Sequence, residues 1–231
     1  MSAPPTPAVV VGLAAEARIA RRLGLPVAIG GGTAAGADAA ARRMVRAGAL
    51  GLISFGLAGG LDPALRPGAI VIASDVLCQP DGSVGAGANG AARAMRRFAT
   101  DAALSSRFGG ATGHTMLGTN IIVARADAKR MLWQTTGAAA VDLESGGVAC
   151  VATEHGLPFA ALRAICDPAE RDLPPAALIA LDRYGAIGLV RVLWSVLAHP
   201  AQFPGLLALA ADAAAARRAL RDAVSRIRTN V

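Results

Sequence analysis

Three carboxyl groups fall where an α/β protein builds its active sites. Glu16 lies just past the first apolar run, Glu144 follows Val141-Asp142-Leu143, and Asp167 ends the apolar run Phe159–Cys166. In open α/β sheets, ligands bind in the crevice at the carboxyl ends of the strands. Any one of these acids alone is more simply explained as a solvated residue at a helix end. Three of them at strand ends predict a cleft that binds sugar hydroxyl groups, positions a nucleophile and contains a general acid.

Two glycine-rich segments, Gly30–Thr33 and Gly56–Gly60, each follow an apolar run. Loops of this kind can offer backbone N–H groups to an anion. Neither segment has the spacing of a Walker or a Rossmann nucleotide-binding loop. An anion site and a tight strand-to-helix turn both remain open at each position.

The elements that must position these groups alternate along the chain. Apolar runs alternate with helical patterns, which predicts one α/β domain over residues 1–231 with a largely parallel, covered sheet. Strands are predicted over Ala8–Gly12, Pro26–Ile29, Leu50–Phe55, Ala69–Leu77, Ala138–Leu143 and Phe159–Cys166, and one or two strands over Thr115–Val123. Helices are predicted over 36–47, 90–107, 125–135 and Glu144–His155.

The chain after Pro174 is predicted to be helical, with a helical extension over about 184–231. Within it, residues 205–228 have apolar side chains at alternating spacings of three and four, which predicts an amphipathic helix. The apolar stripe is explained either by packing on the core or on a dimer partner, or by contact with lipid or an apolar ligand. Tyr184, Trp194 and Phe203 would contribute to such a ligand contact.

The amino-acid composition permits some classes of partner and argues against others. The formal net charge is +7, from 22 Arg and one Lys against 16 acidic residues, which permits an anionic partner. Aromatic residues make up only 3% of the chain, too few for base-stacking platforms, so we expect no nucleic-acid partner. The three Cys and three His lack metal-ligand spacing, so no metal is expected. Without a signal-peptide pattern or a clean apolar stretch of about 20 residues, a cytoplasmic location is expected.

Three segments of the chain resemble a known enzyme family. They are Ser54-Phe55-Gly56-Leu57-Ala58-Gly59-Gly60 with the following Leu65–Val71, then Val141-Asp142-Leu143-Glu144-Ser145, and Leu162-Arg163-Ala164-Ile165-Cys166-Asp167. Their order and spacing resemble the superfamily of purine nucleoside phosphorylases and methylthioadenosine/S-adenosylhomocysteine nucleosidases, over about residues 8–180. The resemblance implies a three-layer α/β fold with a central mixed, largely parallel twisted sheet. It also implies cleavage of the N-glycosidic bond of a purine nucleoside.

The resemblance implies roles for the three acids. Asp167 would be the general acid that protonates N7 of the purine, Glu144 would bind the ribose 2′- and 3′-hydroxyls, and Glu16 would position the nucleophile. Arg163 would hold a carboxylate in place, or form an ion pair in the core. The wider set of implied substrate-binding residues is Gly12, Arg18, Gly56, Leu57, Ile121, Ile122, Asp142, Leu143, Arg163 and Cys166.

The chain departs from the family pattern at several of these positions. Cys166 replaces a serine, Asp142 and Leu143 replace Glu and Met, and Ile121 stands where an aromatic residue would stack on the base. Leu57 replaces a phosphate-binding serine of many phosphorylases, so phosphorolysis and hydrolysis both stay open. Inorganic phosphate is a co-substrate only in the first case, and no other cofactor is expected.

A closer resemblance is to the hopanoid-biosynthesis-associated nucleoside phosphorylases. It is carried by Gly12-Leu13-Ala14-Ala15-Glu16-Ala17-Arg18-Ile19-Ala20 and by the apolar carboxyl-terminal extension. The implied substrate is adenosylhopane, a lipid-linked purine nucleoside, with peripheral membrane contact and a homo-oligomer, most simply a dimer. One alternative is a hydrolytic nucleosidase for methylthioadenosine, S-adenosylhomocysteine or a related soluble nucleoside. Another is a non-catalytic basic module that binds nucleic acid or membrane.

Overall fold

The computed structural model describes residues 6–79, 95–175 and 203–229, with the side chains of 203, 228 and 229 excluded. Its strands are β1 (Ala8–Val11), β2 (Val27–Ile29), β3 (Leu52–Gly60), β4 (Ile70–Cys78), β5 (Arg96–Ala99), β6 (His114–Gly118), β7 (Ala140–Asp142) and β8 (Phe159–Asp167). Its helices are α1 (Ala14–Ala20), α2 (Ala34–Arg46), α3 (Ala102–Ser106), α4 (Ala126–Thr136), α5 (Ser145–Glu154) and α6 (Phe203–Thr229).

The strands form one mixed sheet in which parallel pairs predominate. The order is β2-β1-β3-β7-β6-β4-β5, and β8 pairs with both β3 and β4. The antiparallel pairs are β3 with β7, β4 with β5 and β4 with β8. Because β8 bridges β3 and β4, the strands β3, β8, β4, β6 and β7 close into a ring, a feature that the sequence did not predict. The predicted mixed, largely parallel sheet is confirmed.

Helices cover both faces of the sheet. Neighbouring residues of β1 point to opposite faces, and accordingly Val10 belongs to one apolar cluster while Val9 and Val11 belong to another. The first cluster is closed by buried alanines of α2 and by α5, and the second by α1 and α6. These two helical layers around one sheet confirm the predicted three-layer α/β fold.

The carboxyl-terminal helix α6 confirms the amphipathic helix predicted over 205–228. Its buried side chains Ala216, Leu220 and Val224 pack in the same cluster as Ala17 and Ala20 of α1. Packing on the core therefore explains the part of the apolar stripe from Ala216 to Val224. Tyr184, Trp194 and the rest of the extension before residue 203 lie outside the described residues. Within the described part, no helix combines the length and the apolar character that crossing a membrane requires.

The helix predicted over 90–107 is wrong at residues 96–99. This segment is β5, which pairs antiparallel with β4 and alternates exposed Arg97 with buried Phe98. A four-residue strand with one buried side chain is too short to stand out against a helical pattern, and the partner strand decides the outcome. Residues 90–94 lie outside the described part, and the helix α3 begins only at Ala102.

Two further segments differ from the prediction. Gly56–Gly60 is not a loop but the end of β3, where the chain pairs with both β8 and β7. The strand predicted over Thr115–Val123 ends at Gly118, and the Thr119 hydroxyl then donates to the Ile121 carbonyl (2.8 Å) in a turn. That turn takes Ile121 and Ile122 out of the sheet and into the wall of a cavity.

Candidate active site

A cavity of about 220 Å³ lies at the carboxyl ends of β1, β7 and β8, beside the end of β3. Four carboxyl groups line it: Glu16 from α1, Asp142 from the end of β7, Glu144 just before α5, and Asp167 from the end of β8. All four are less than a tenth exposed. The structure therefore brings the three acids singled out in the sequence to one cavity, with Asp142 beside them.

Glu16 is held in the cavity by backbone N–H groups. Its two carboxylate oxygens accept hydrogen bonds from the N–H of Leu13 (2.8 Å) and from the N–H of Leu57 (2.9 Å). The second bond joins α1 to β3 across the cavity floor. Burial raises the pKa of Glu16 above its ordinary value, against the opposing effects of the Arg163 guanidinium and of these N–H groups.

Two glycines make room for the acids. A Cβ atom on Gly12 would lie 2.5 Å from Oε1 of Glu144 and 3.3 Å from Oε2 of Glu16. A Cβ atom on Gly56 would lie 2.4 Å from Nη1 of Arg163 and 2.6 Å from Oε1 of Glu16. Neither glycine lines the cavity, so their role is to let the charged side chains approach one another.

Arg163 lies behind the cavity and is fully buried. Its Nε donates to Oδ2 of Asp142 (2.5 Å), and its Nη2 donates to Oγ of Ser54 (2.7 Å) and to Oε2 of Glu144 (3.2 Å). The guanidinium therefore forms a core ion pair and also orients the Glu144 carboxylate. Both interpretations of Arg163 from the sequence apply.

The Arg163 guanidinium interacts with three carboxyl groups. It donates hydrogen bonds to Asp142 and Glu144, and its charge acts on Glu16. Asp142 has the strongest set of partners, because Ser145 also donates to it through its hydroxyl (2.5 Å) and its backbone N–H (3.2 Å to Oδ1). Glu144 accepts the longer bond from Arg163 (3.2 Å). Burial, and after it the neighbouring charges of Asp142 and Glu16, raise the pKa of Glu144 to about 8 despite Arg163.

Asp167 has a different set of partners. The Cys166 thiol donates to Oδ1 (3.5 Å), and the ammonium group of Lys129, from α4, donates to Oδ2. Burial and the Asp167 carboxylate raise the pKa of Cys166 well above its ordinary value, so the thiol keeps its proton. Sequence reasoning missed Lys129, although one signal was available: it is the only Lys in a chain with 22 Arg.

The remaining wall of the cavity is apolar. Leu57 lines it from β3, Ile121 from the turn after β6, Leu173 from the loop after β8, and Leu209 from α6. Ile121 is 54% exposed and so lies at the mouth. Other apolar residues that line it are Leu13, Ile122, Val123, Val141 and Leu143. None of the lining side chains in the described part is an Arg or a Lys.

The predicted binding residues divide into three groups. Leu57, Ile121, Ile122, Asp142, Leu143 and Cys166 line the cavity with the three acids. Gly12, Gly56 and Arg163 lie directly behind its lining. Arg18, another of the predicted substrate-binding residues, is exposed on α1 and does not line the cavity. Across residues 6–79, 95–175 and 203–229, no group of His, Cys, Asp and Glu is arranged to hold a metal ion.

Comparisons with known proteins agree with this architecture. The family model of the phosphorylase superfamily matches residues 29–178. A 5′-methylthioadenosine/S-adenosylhomocysteine nucleosidase from Helicobacter pylori is 15% identical, with a TM-score of 0.65 over 96% of this chain and 98% of that one. The corresponding nucleosidase from Neisseria meningitidis is 21% identical, with a TM-score of 0.65 over 99% and 100%. A futalosine hydrolase of Helicobacter pylori is 15% identical, with a TM-score of 0.65 over 96% and 98%.

At these identities the solved structures establish the shared fold. No curated protein matches the chain by sequence.

Proposed function

The chain belongs to the phosphorylase superfamily, and on that premise we propose that it cleaves the N-glycosidic bond of adenosylhopane and releases adenine. Adenosylhopane joins a polar purine nucleoside to a large polycyclic hydrocarbon. The observation that carries the proposal is the division of the cavity into an acidic floor and an apolar wall that includes Leu173 and, from the carboxyl-terminal helix, Leu209.

The acidic floor suits the charges that develop when a nucleoside is cleaved. As the bond breaks, positive charge builds on the ribose and negative charge on the departing purine. Asp167 delivers a proton to N7 of the purine and so neutralises the leaving group. Glu144, oriented by Arg163, accepts hydrogen bonds from the ribose 2′- and 3′-hydroxyls and stabilises the cationic sugar.

The apolar wall suits the lipid part of the substrate. The cavity of about 220 Å³ is smaller than the roughly 300–1,000 Å³ of pockets for drug-sized ligands, so it accommodates the nucleoside and leaves the hydrocarbon to exit at the mouth. Leu173, Leu209 and the exposed Ile121 provide an apolar path at that exit. Contact of this mouth with a membrane surface is part of the proposal, because the hopane must come from and return to lipid.

We propose water, not phosphate, as the nucleophile. Glu16 and Glu144 lie together beside Gly12 at the cavity floor, and no Arg or Lys of the described residues lines it. A phosphate dianion there would lie against acidic side chains, and the buried Arg163 and Lys129 behind them already pair with Asp142, Glu144 and Asp167. The added negative charge therefore costs free energy in a poorly hydrated site. A neutral water molecule carries no such cost, and Glu16 accepts its proton when it attacks the ribose.

The experiment is adenine release from adenosylhopane in detergent, measured with and without inorganic phosphate. We expect release that does not depend on phosphate and that yields ribosylhopane. Release only with phosphate, and a phosphoribosyl product, would keep the bond cleavage and reject water as nucleophile. No release of adenine from adenosylhopane would reject the proposed substrate.

A second candidate is hydrolysis of methylthioadenosine or S-adenosylhomocysteine. The nucleoside-sized cavity favours it, together with the fold shared with solved nucleosidases of those compounds. The same assay with methylthioadenosine separates the two candidates. A kcat/KM for methylthioadenosine far above that for adenosylhopane would select the second, whereas the reverse ratio would select the first.

A further inference from the structure

We propose that Lys129 is a positioning residue that holds the Asp167 carboxylate in place and supplies the proton that Asp167 passes to the purine. This inference rests on the proposed function, because it concerns the leaving-group side of the same bond cleavage. It assigns a role to a side chain that no motif in the sequence marks.

The surroundings of Lys129 fix its ammonium group. The side chain is fully buried between α4 and the segment that follows β8. Its Nζ donates to Oδ2 of Asp167, to the carbonyl of Pro168 (2.9 Å) and to the carbonyl of Arg171 (3.1 Å). These three acceptors match the three hydrogen atoms of an ammonium ion. The group therefore has one defined orientation, with one N–H directed at the candidate general acid.

The contact between Lys129 and Asp167 bears on the source of the proton that reaches the purine. In the structure Lys129 and Asp167 form a buried ion pair of an ammonium group and a carboxylate. An ionised carboxylate has no proton to give to a purine, whereas the ammonium in contact with it has one. The purine accepts the proton most readily as the bond breaks and negative charge develops on the ring.

The proton moves from Lys129 through Asp167 to the purine. One N–H bond of Lys129 breaks and Oδ2 of Asp167 accepts the proton, which the carboxyl group passes to N7 as the electron pair of the C–N bond moves onto the purine. Water adds to the ribose and loses its proton to Glu16. The enzyme then holds a neutral Lys129 and a protonated Glu16, and exchange with solvent after adenine leaves restores both.

The choice of Lys over Arg supports a proton-transfer role. The chain uses Arg at 22 of its 23 basic positions, and the exception is the one that contacts Asp167. A guanidinium would form the ion pair equally well, but it does not give up a proton in proteins. A lysine ammonium can lose its proton in a buried site, as general-base and Schiff-base lysines do.

The test compares Lys129→Met with two control variants. Arg130→Met removes a charge from the exposed neighbour on α4. Asp127→Asn removes a charge from an exposed residue in the first turn of α4, which pairs with Arg125 and has no contact with Asp167. The substrate is whichever of adenosylhopane and methylthioadenosine the wild-type protein cleaves faster. A second substrate, p-nitrophenyl riboside, has a leaving group that needs no proton.

We expect Lys129→Met to lower kcat for adenine release by about 100-fold or more, the usual range of general acid catalysis, with KM changed less than about threefold. Cleavage of p-nitrophenyl riboside should fall less than about fivefold. Combined with Asp167→Asn, the Lys129 substitution should cause no further loss, because the two residues act in one step. Both controls should stay within about threefold of wild type.

Three results would overturn the inference. They are wild-type adenine release by Lys129→Met, equal losses on both substrates, and a further loss when Lys129→Met is added to Asp167→Asn. If Lys129→Met does not fold, Lys129→Arg takes its place, since it keeps the charge and withholds the proton. Full adenine release by that variant would then contradict the proton-transfer role. An inactive wild-type protein would reject the proposed function itself, and the inference with it.

Discussion

The raised pKa of Glu144 leads to a pH dependence of adenine release. Glu144 acts on the cationic sugar only as a carboxylate, and burial beside Asp142 and Glu16 raises its pKa to about 8. The carboxylate fraction is then about 1% at pH 6 and about 50% at pH 8, since each pH unit below the pKa changes it about tenfold. Because kcat/KM follows the free enzyme, we expect it to rise about 50-fold between pH 6 and pH 8.

The raised pKa of Glu144 also makes the free energy of unfolding depend on pH. Its pKa is higher in the folded protein than the ordinary 4.5, so the folded state binds the proton more tightly than the unfolded state does. The stabilisation of the folded state by the proton on Glu144 is fully present below pH 4.5 and is lost as the pH rises through about 8. Linkage sets the loss at about 1.4 kcal/mol per pH unit, or about 2–3 kcal/mol between pH 6 and pH 8.

The assay is a pair of pH series on wild type and Glu144→Gln, one for kcat/KM and one for urea unfolding. The substitution should remove the rising limb of kcat/KM and flatten the loss of stability. Glu154→Gln is the matched control, because it removes a charge from an exposed position at the far end of α5. If Glu144→Gln keeps the wild-type rise in kcat/KM, the assignment of that ionisation to Glu144 is refuted.

Three further variants test other parts of the site. Gly56→Ala should lower both kcat and the melting temperature, since its Cβ would lie 2.4 Å from Nη1 of Arg163. Arg163→Met should reduce the free energy of unfolding in urea by about 3–5 kcal/mol, because it leaves buried carboxylates unpaired. Leu209→Ser should lower kcat/KM about tenfold for adenosylhopane and leave methylthioadenosine unaffected, consistent with the roughly 1.5–3 kcal/mol gained by burying a leucine side chain. In the same assay Leu207→Ser, on an exposed leucine of α6 that does not line the cavity, should match wild type.

The parts of the fold that the sequence predicted are those with strong local patterns. The apolar run of β1, the run of β8 around Arg163 and the long stripe of α6 each identify their own element. The ring closed by β8 was not predicted, because it depends on which strands pair rather than on the pattern of any one strand. The short strand β5 was mistaken for helix for the same reason.

The residues of the candidate site that the sequence predicted are acidic residues that follow a strand. Glu16, Glu144 and Asp167 could be singled out because an acid at a strand end is visible in the sequence. The contact of Lys129 with Asp167 joins residues 38 positions apart, and no local pattern encodes it. The position of Arg18 could not be predicted either, since its exposure depends on which side of α1 faces the sheet.

The most direct test of the account is adenine release by wild type and by Asp167→Asn, with adenosylhopane as substrate. We expect the wild-type protein to release adenine and ribosylhopane, and the variant to lose about 100-fold or more of this activity while it folds equally well by circular dichroism. An equally active Asp167→Asn variant would contradict the assignment of the general acid. Wild-type protein that releases no adenine from either adenosylhopane or methylthioadenosine would contradict the account as a whole.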